Sequence, residues 1–164
     1  MIHRVAHTMI GLLAVVGILL HADPGAMGGE RFADNGDGTV TDLQLGVMWA
    51  KSDNQGDIGW QQAEAFAHYS FGLTVVNQYT NWRLPTLDEL QSLYVAKTGF
   101  NGYGTDCGIP ARIVSQIKLS CILVWSSDVA LGSPMAFNFN IGNAFTVQSY
   151  DISGCRVLPV RNLE

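Results

Sequence analysis

The chain has 164 residues, a formal net charge of −5 and only 14% charged residues, together with seven Phe, five Tyr and four Trp. Low charge combined with many aromatic residues excludes an intrinsically disordered chain. The sequence contains no basic stripe, which argues against nucleic acid or sulfated polyanions as partners. Its 18 Gly residues indicate a domain that is rich in turns and contains β-structure.

The N-terminal segment has the pattern of a secretory signal peptide. Residues 9–20 are all apolar, and a run of about 12 residues is too short to span a bilayer but suits a signal sequence. We expect cleavage after Ala22, with Ala26 as an alternative. Residues 23–30 then form a flexible lead-in, and residues 31–164 form a single domain. This pattern predicts an exported protein, periplasmic or secreted, with no stable membrane span after cleavage.

The residues between positions 31 and 51 predict a β-hairpin. The segment from Asn35 to Gly38 contains both Asn-Gly and Asp-Gly, which are strong signals for a tight hairpin turn. The same segment resembles a calcium loop, but that alignment places Ala33 and Gln44 where an EF-hand needs its first and last acidic ligands. We therefore expect a turn without a metal site, followed by a strand at residues 45–49.

Two helices are predicted in the first half of the chain. Apolar residues recur with helical spacing over residues 60–69. Thr86 and Glu89 have the spacing of a capping box, which begins a second helix. The buried face of the second helix is expected to consist of Leu87, Leu90, Leu93 and Tyr94. Arg83 lies close to Asp88 and Glu89, which favours a structural ion pair over a ligand-binding arginine.

The histidine content argues against catalysis and against a metal site. Three of the four His lie in the expected signal peptide, which leaves His68. A His-based zinc site and a two-His facial-triad iron site both need more than one imidazole ligand, so neither is expected within one chain. His68 follows Glu64 by four residues, so the two side chains share one face of the predicted helix. We expect no catalytic residue, no metal and no cofactor.

The second half of the chain is predicted to consist mainly of strands. These strands lie at residues 122–127, 135–139, 144–147 and 155–161. Pro159 places the last of them at an edge or a strand end, because proline cannot donate a ladder hydrogen bond. Helices in the first half and strands at both ends predict an α+β domain whose terminal strands pair with each other.

The three cysteines are Cys107, Cys121 and Cys155. An oxidising compartment favours one disulfide and leaves one thiol over. Three single pairings are open from the residues alone. None of the cysteines has C-x-x-C spacing, so neither a redox motif nor a zinc knuckle is indicated.

The chain resembles the bacterial Lcl C-terminal domain family through ordered motifs. They are RFADNGDGTVTDLQLGVMWAK, NWRLPTLDEL, VWSSD, FNFNIGN and VLPVRN, and they span residues 31–162. The Arg-Leu-Pro-Thr segment before a helix is also similar to the formylglycine-generating-enzyme-like branch of the C-type-lectin fold. The resemblance implies a compact C-type-lectin-like α+β domain, with two helices packed on short, mostly antiparallel strands. It further implies a secreted or surface protein, with roles in adhesion and glycan binding and no agreed active site.

The resemblance also selects among the disulfide pairings. Family members carry cysteines in the loop after the second helix and just before the VWSS-like strand, which correspond to Cys107 and Cys121. This pairing leaves Cys155 as a buried thiol. The rival pairing joins Cys121 to Cys155.

The function expected from these features is a non-catalytic binding module. Its ligand is expected to be a glycan or an envelope protein, and the candidate contacts are Trp125, Asn138, Asn140 and Asn143. Core packing is the alternative role for Trp125 and for the other tryptophans. The alternative function is a structural or assembly subunit of a cell-envelope complex.

Overall fold

Two four-stranded sheets and two short α-helices make up the computed structural model, which describes residues 30–148 and 153–163. The strands are β1 Phe32–Asp34, β2 Thr39–Asp42, β3 Val47–Ala50, β4 Leu123–Ala130, β5 Ser133–Asn138, β6 Asn143–Thr146, β7 Cys155–Arg156 and β8 Val160–Asn162. The α-helices are α1 Trp60–Ala65 and α2 Leu87–Leu93. The predicted α+β class is confirmed. The predicted signal peptide lies outside the described residues.

The first sheet joins the two ends of the domain in the order β1-β2-β3-β8. The β1–β2 turn contains Gly36 and Gly38 at φ +74° and +92°, backbone angles that glycine adopts without steric cost. The predicted hairpin is therefore confirmed. The predicted pairing of terminal strands is also confirmed, because β8 runs antiparallel to β3.

The second sheet has the order β6-β5-β4-β7, and its β4–β7 pair is parallel whereas the other pairs are antiparallel. The prediction of one continuous strand over residues 155–161 is wrong. The chain leaves the second sheet after Arg156 and joins the first sheet at Val160. Between them, Val157 and Leu158 are completely buried, and the Pro159 carbonyl accepts a hydrogen bond from Ala50 N at 2.8 Å. Proline suits this crossing because it has no N–H to donate to either sheet.

Aromatic rings fill the core. Trp49, Trp82 and Trp125 are all at most 1% exposed. The predicted shared face of Phe137 and Phe139 is confirmed, since both are buried and their ring centroids lie 4.9 Å apart. Burial of rings of this size supplies much of the hydrophobic stabilisation that a domain of this length needs.

The first helix begins as predicted but does not remain α-helical. α1 ends at Ala65 and continues as a π-helical turn over Phe66–Ser70 and then a 3-10 turn over Phe71–Leu73. The predicted α-helix over residues 60–69 is therefore corrected to a shorter α-helix followed by a wider turn. Ala63, Ala67 and Phe71 follow one another at four-residue intervals and are buried. In an α-helix with 3.6 residues per turn, side chains four residues apart rotate gradually around the helix and away from the core. The π-helical turn has more residues per turn, which offsets this rotation and keeps the three side chains on the core side.

Within the described residues, no helix is long and apolar enough to cross a membrane.

The second helix begins with the predicted capping box. Glu89 N donates to Thr86 Oγ1 at 3.2 Å, and Thr86 N donates to Glu89 Oε2 at 2.8 Å. The predicted ion pair is also present, and its acidic partner is Glu89. Arg83 donates to both Glu89 carboxylate oxygens at 2.8 Å. Of the predicted buried face, Leu90 and Leu93 are fully buried, whereas Leu87 and Tyr94 are partly buried.

Replacing Thr86 by alanine is expected to lower the free energy of unfolding by about 1 kcal/mol, because the first turn of α2 loses its side-chain cap. Urea denaturation of the variant and the wild type measures this difference. The change should leave ligand affinity unaltered, since Thr86 holds the helix and lines neither of the two grooves described below. Weaker binding at unchanged stability would contradict the scaffold role of Thr86.

The contribution of Glu89 to the free energy of unfolding is expected to depend on pH. Burial alone would raise the pKa of Glu89, but hydrogen bonds from Arg83 and Thr86 and the charge of Arg83 outweigh it and hold the pKa below its ordinary value of 4.5. The ionised carboxylate therefore stabilises the fold above the pKa of the unfolded chain, and this stabilisation disappears as pH falls through the lower folded-state pKa. The difference in unfolding free energy between wild type and Glu89→Gln should shrink between pH 7 and pH 3. A difference that stays constant over this range would contradict the assignment.

Candidate functional site

The long segment between α2 and β4, residues 94–122, contains no helix and no strand longer than an isolated bridge. Loops longer than about 15 residues are uncommon inside compact domains and usually carry function. This loop is fixed at several points. Tyr103 and Ala111 exchange two backbone hydrogen bonds of 2.9 Å, and Thr105 Oγ1 donates to the Ile109 carbonyl at 2.7 Å. The segment therefore has an ordered shape that can form a binding surface.

A disulfide fixes the same loop to the core. Cys107 is bonded to Cys121, with 5.3 Å between the Cα atoms and a sequence separation of 14. The pairing implied by the family resemblance is confirmed, and Cys155 is a buried thiol outside the bond. Cys107 N also donates to the Ser120 carbonyl at 3.1 Å. A disulfide in a domain of this size is consistent with a non-cytoplasmic location.

The loop forms one side of an extended depression, which we call the long-loop groove. It consists of two adjoining cavities of about 530 Å³ and 390 Å³. Both cavities are lined by Tyr103, Ile113 and Ser115, so these residues lie where the cavities meet. The larger cavity falls within the range of roughly 300–1,000 Å³ that is typical of small-molecule sites.

The groove combines an apolar base with an aromatic ring at its centre. The aliphatic residues that line the larger cavity are buried, and they are Ala111, Ile113, Ile117 and Leu119. The Tyr103 side chain is 46% exposed. Its ring packs against the edge of Phe100, with centroids 5.3 Å apart and planes inclined by 70°. This contact holds the Tyr103 ring at the junction of the two cavities while leaving part of it open to solvent.

Polar and charged groups surround this base. Asp106 and Lys118 are exposed on the larger cavity and carry opposite charges. Asp53 also lines the cavity but is 6% exposed. Its carboxylate accepts hydrogen bonds from Ser120 N at 2.7 Å, Ser120 Oγ at 2.9 Å and Gln55 N at 2.9 Å. Asp53 is therefore engaged in holding the loop, and the exposed rim presents charges of both signs.

The Asp-rich turn of the first hairpin has its own partners. Asp34 pairs with Lys51, whose hydrogen bond lowers the pKa of the Asp34 carboxyl. Asp37 accepts hydrogen bonds from Thr39 Oγ1 at 2.5 Å and from Asn77 Nδ2 at 2.7 Å. Both carboxylates are therefore engaged by side chains of the fold itself. Among the described residues, no group of three or more His, Cys, Asp or Glu is placed to hold a metal ion.

The structure separates the four residues that sequence analysis selected for ligand contact. Trp125 is fully buried, and its Nε1 donates to the Ile58 carbonyl at 2.7 Å. This position is the core-packing alternative, and the ring has no face open to a ligand. The three asparagines lie together at the turn between β5 and β6, where Asn138 is paired with Asn143.

The Asn138 side chain holds the turn itself, and the Asn140 side chain joins the turn to the long segment between α2 and β4. Asn138 Oδ1 accepts from Asn140 N at 2.9 Å, and Asn140 Nδ2 donates to the Pro110 carbonyl at 2.9 Å. Asn143 is exposed on the edge strand β6. Within the described residues, none of the four selected positions lines the long-loop groove. Ligand contact by the asparagines stays a prediction.

A second depression, the α1 groove, has a volume of about 470 Å³. It is lined chiefly by polar and aromatic side chains, namely Trp60, Gln61, Glu64, His68, Tyr69, Arg83 and Ser127. Glu64 and His68 both line it, as their helical spacing predicted. Sequence reasoning placed Arg83 in an ion pair, and the structure shows that the paired arginine also borders this groove.

Sequence analysis did not identify Tyr103 and Phe100. The available signal was a Gly-rich loop that carries two aromatic residues, a combination that is unusual if the rings only serve packing. Tyr103 lies at the junction of the two cavities and Phe100 lines the smaller one, and both positions depend on the fold of residues far apart in the chain.

Comparisons with known proteins identify the family. Residues 38–161 match the family model described as the Lcl C-terminal domain. A segment of 66 residues is 33% identical to the phosphatidylserine decarboxylase proenzyme of Klebsiella pneumoniae subsp. pneumoniae, and it covers 38% of this chain and 21% of that protein. The chain thus spans about a fifth of the length of this curated relative. No solved structure matches. Because the family model covers most of the sequence, the chain belongs to the Lcl C-terminal domain family.

Proposed function

We propose that this protein is a non-catalytic carbohydrate-binding module that acts in the periplasm or outside the cell, with its ligand in the long-loop groove. The observation that carries this proposal is the Tyr103 ring, 46% exposed at the junction of two adjoining cavities. The proposal extends the expectation of a C-type-lectin-like adhesion or glycan-binding domain to a specific surface.

The chemistry of the groove suits a sugar. A sugar ring has an apolar face of C–H groups and a periphery of hydroxyls, so it needs an aromatic face beside hydrogen-bonding groups. Tyr103 supplies the ring, and the apolar base below it excludes water from one side of the ligand. Ser52 and Gln55 supply a hydroxyl and an amide beside it. The Thr105 and Ser115 hydroxyls, which donate to Ile109 and Gln116, can still accept hydrogen bonds from a ligand.

The charges favour a neutral ligand. Asp106 and Lys118 stand on the same cavity with opposite charges, and Lys97 lines the smaller cavity. This mixture gives no uniform positive field of the kind that a sulfated glycan requires. The net charge of −5 for the whole chain acts in the same direction. The presence of cavities on both sides of Tyr103 favours an extended oligosaccharide over a monosaccharide.

Assembly with an envelope protein is the second candidate function. β6 is the outer strand of its sheet, and all four of its residues are exposed. Exposed edge strands present unpaired backbone groups that another chain can extend. A partner of this kind would bind at β6 and would be insensitive to substitutions in the long-loop groove.

Glycan-array screening of the purified protein, followed by calorimetric titration with the best neutral oligosaccharide, tests the carbohydrate proposal. Tyr103→Ala is expected to weaken binding by about tenfold or more, which corresponds to about 1.4 kcal/mol. Phe145→Ala is the matched control, because it removes an exposed aromatic ring on β6, outside the groove. An array without a neutral glycan ligand, or equal effects of the two substitutions at unchanged melting temperature, would contradict the proposal.

A further inference from the structure

We propose that the α1 groove is a second ligand site and that it binds small organic cations carrying an ammonium group. The proposal concerns a surface separate from the long-loop groove and does not depend on carbohydrate binding there. It rests on the aromatic walls of the α1 groove, on its unpaired carboxylate and on the backbone conformation that forms one of its sides.

Aromatic rings line the groove at both ends of the helical segment. Trp60 is half-buried, and its Nε1 donates to the Ser126 carbonyl at 2.8 Å, so the indole is held in one orientation. Tyr69 is 73% exposed. Its ring meets His68 edge to face, with centroids 4.4 Å apart and an angle of 89° between the planes. Exposed ring faces attract cations through their negative quadrupole, and tryptophan and tyrosine are the most effective side chains in this role.

The groove also contains a carboxylate without a counter-ion. Glu64 is exposed and forms no hydrogen bond or ion pair with any described residue. The arginine that borders the groove does not neutralise it. Arg83 donates to both oxygens of Glu89 at 2.8 Å and to Asn162 Oδ1 at 2.8 Å. Its charge is thus balanced by Glu89, which does not line the groove, so the charge of Glu64 sets the sign of the potential there.

The backbone at this groove departs from regular helix. His68 and Tyr69 both lie in the π-helical turn Phe66–Ser70. Turns of this type are rare and occur frequently at functional sites. The departure from α-helical geometry therefore falls on the two residues whose rings line one side of the α1 groove.

Aromatic faces combined with a carboxylate complement an ammonium ion, because both groups stabilise positive charge. A neutral ligand of the same shape would gain only the apolar contact. A quaternary ammonium or a protonated amine of small size fits the volume of about 470 Å³. The site is thus expected to prefer a cationic ligand over an uncharged ligand of the same shape.

Calorimetric titration of the full chain at pH 8 with choline and with its uncharged isostere 3,3-dimethyl-1-butanol tests this inference. Choline is expected to bind at least about tenfold more tightly than the isostere. Absence of saturable choline binding, or equal affinities for the two compounds, would overturn the proposal.

Two substitutions locate the choline site. Glu64→Gln is expected to lower choline affinity by about tenfold and to leave the weak binding of the isostere unchanged. Tyr69→Leu is expected to lower choline affinity several-fold, because it keeps an apolar side chain but removes the ring face. Gln62→Ala is the matched control, since Gln62 is exposed on the same helix and does not line the groove. Choline binding that survives both Glu64→Gln and Tyr69→Leu would rule out the α1 groove.

These titrations test the two proposed sites independently of each other. Loss of carbohydrate binding in Tyr103→Ala bears on the long-loop groove, whereas the choline result depends on Glu64 and Tyr69. Failure of the carbohydrate proposal would leave the ammonium site standing, and the reverse is equally true.

Discussion

Replacing Trp125 by alanine is expected to lower the free energy of unfolding by about 3–5 kcal/mol. The ring is fully buried in β4 and packs in the cluster where α1 meets the second sheet, together with Ala63, Ala67 and Val157. Removal of the indole leaves a large cavity there, and it leaves the Ile58 carbonyl without the donor that now lies at 2.7 Å. An effect of this size approaches the total stability of many domains.

Urea denaturation followed by circular dichroism measures the effect, with Phe145→Ala as a control that truncates a partly exposed aromatic residue of the same sheet. The control is expected to cost less than about 1 kcal/mol. Wild-type stability of Trp125→Ala combined with weaker ligand binding would restore the ligand role that sequence analysis considered for Trp125.

Replacing Cys107 by serine is expected to lower the free energy of unfolding by about 3 kcal/mol. The Cys107–Cys121 bond has a sequence separation of 14, and closing a loop of about 15 residues stabilises a fold by roughly that amount, chiefly through the unfolded chain. The melting temperature should fall by on the order of 10 °C. Oligosaccharide affinity should fall as well, because the bond fixes the loop that carries Tyr103 and Asp106.

The control for this prediction is the wild type treated with reductant, which should melt at the temperature of Cys107→Ser. Asp106→Asn, a change at the neighbouring exposed position, should leave the melting temperature near that of the untreated wild type. Peptide mapping of the unreduced protein provides an independent check. A peptide that links Cys155 to Cys107 or Cys121 would show that the pairing is wrong.

Sequence reasoning was most successful where the deciding interactions lie within a few residues. The turn between Asn35 and Gly38 and the capping box of Thr86 and Glu89 are complete in the sequence, and both are confirmed. In each case a hydrogen bond or a backbone angle is chosen by residues at most four positions apart. Such signals act before any tertiary contact exists.

The candidate site could not be identified from local sequence signals of this kind. The asparagines at 138, 140 and 143 have the composition of a binding loop, but the Asn138 side chain accepts a hydrogen bond within its own turn and the Asn140 side chain donates to Pro110 in the long loop. Asn and Asp perform this local task as readily as they bind ligands, so composition alone does not distinguish the two uses. Tyr103 became a candidate only after the two cavities on either side of it were known.

The sequence by itself determined the α+β class, the hairpin, the start of both helices, the family and, through the family, the disulfide. Tertiary structure alone decided that the last predicted strand divides at Pro159 between two sheets, that α1 ends in a π-helical turn, and that Trp125 lies in the core. It also decided which exposed rings border a groove. The physical reason is range: a cap, a turn or an apolar stripe is specified by neighbours in sequence, whereas sheet order, burial and grooves depend on which distant segments pack together.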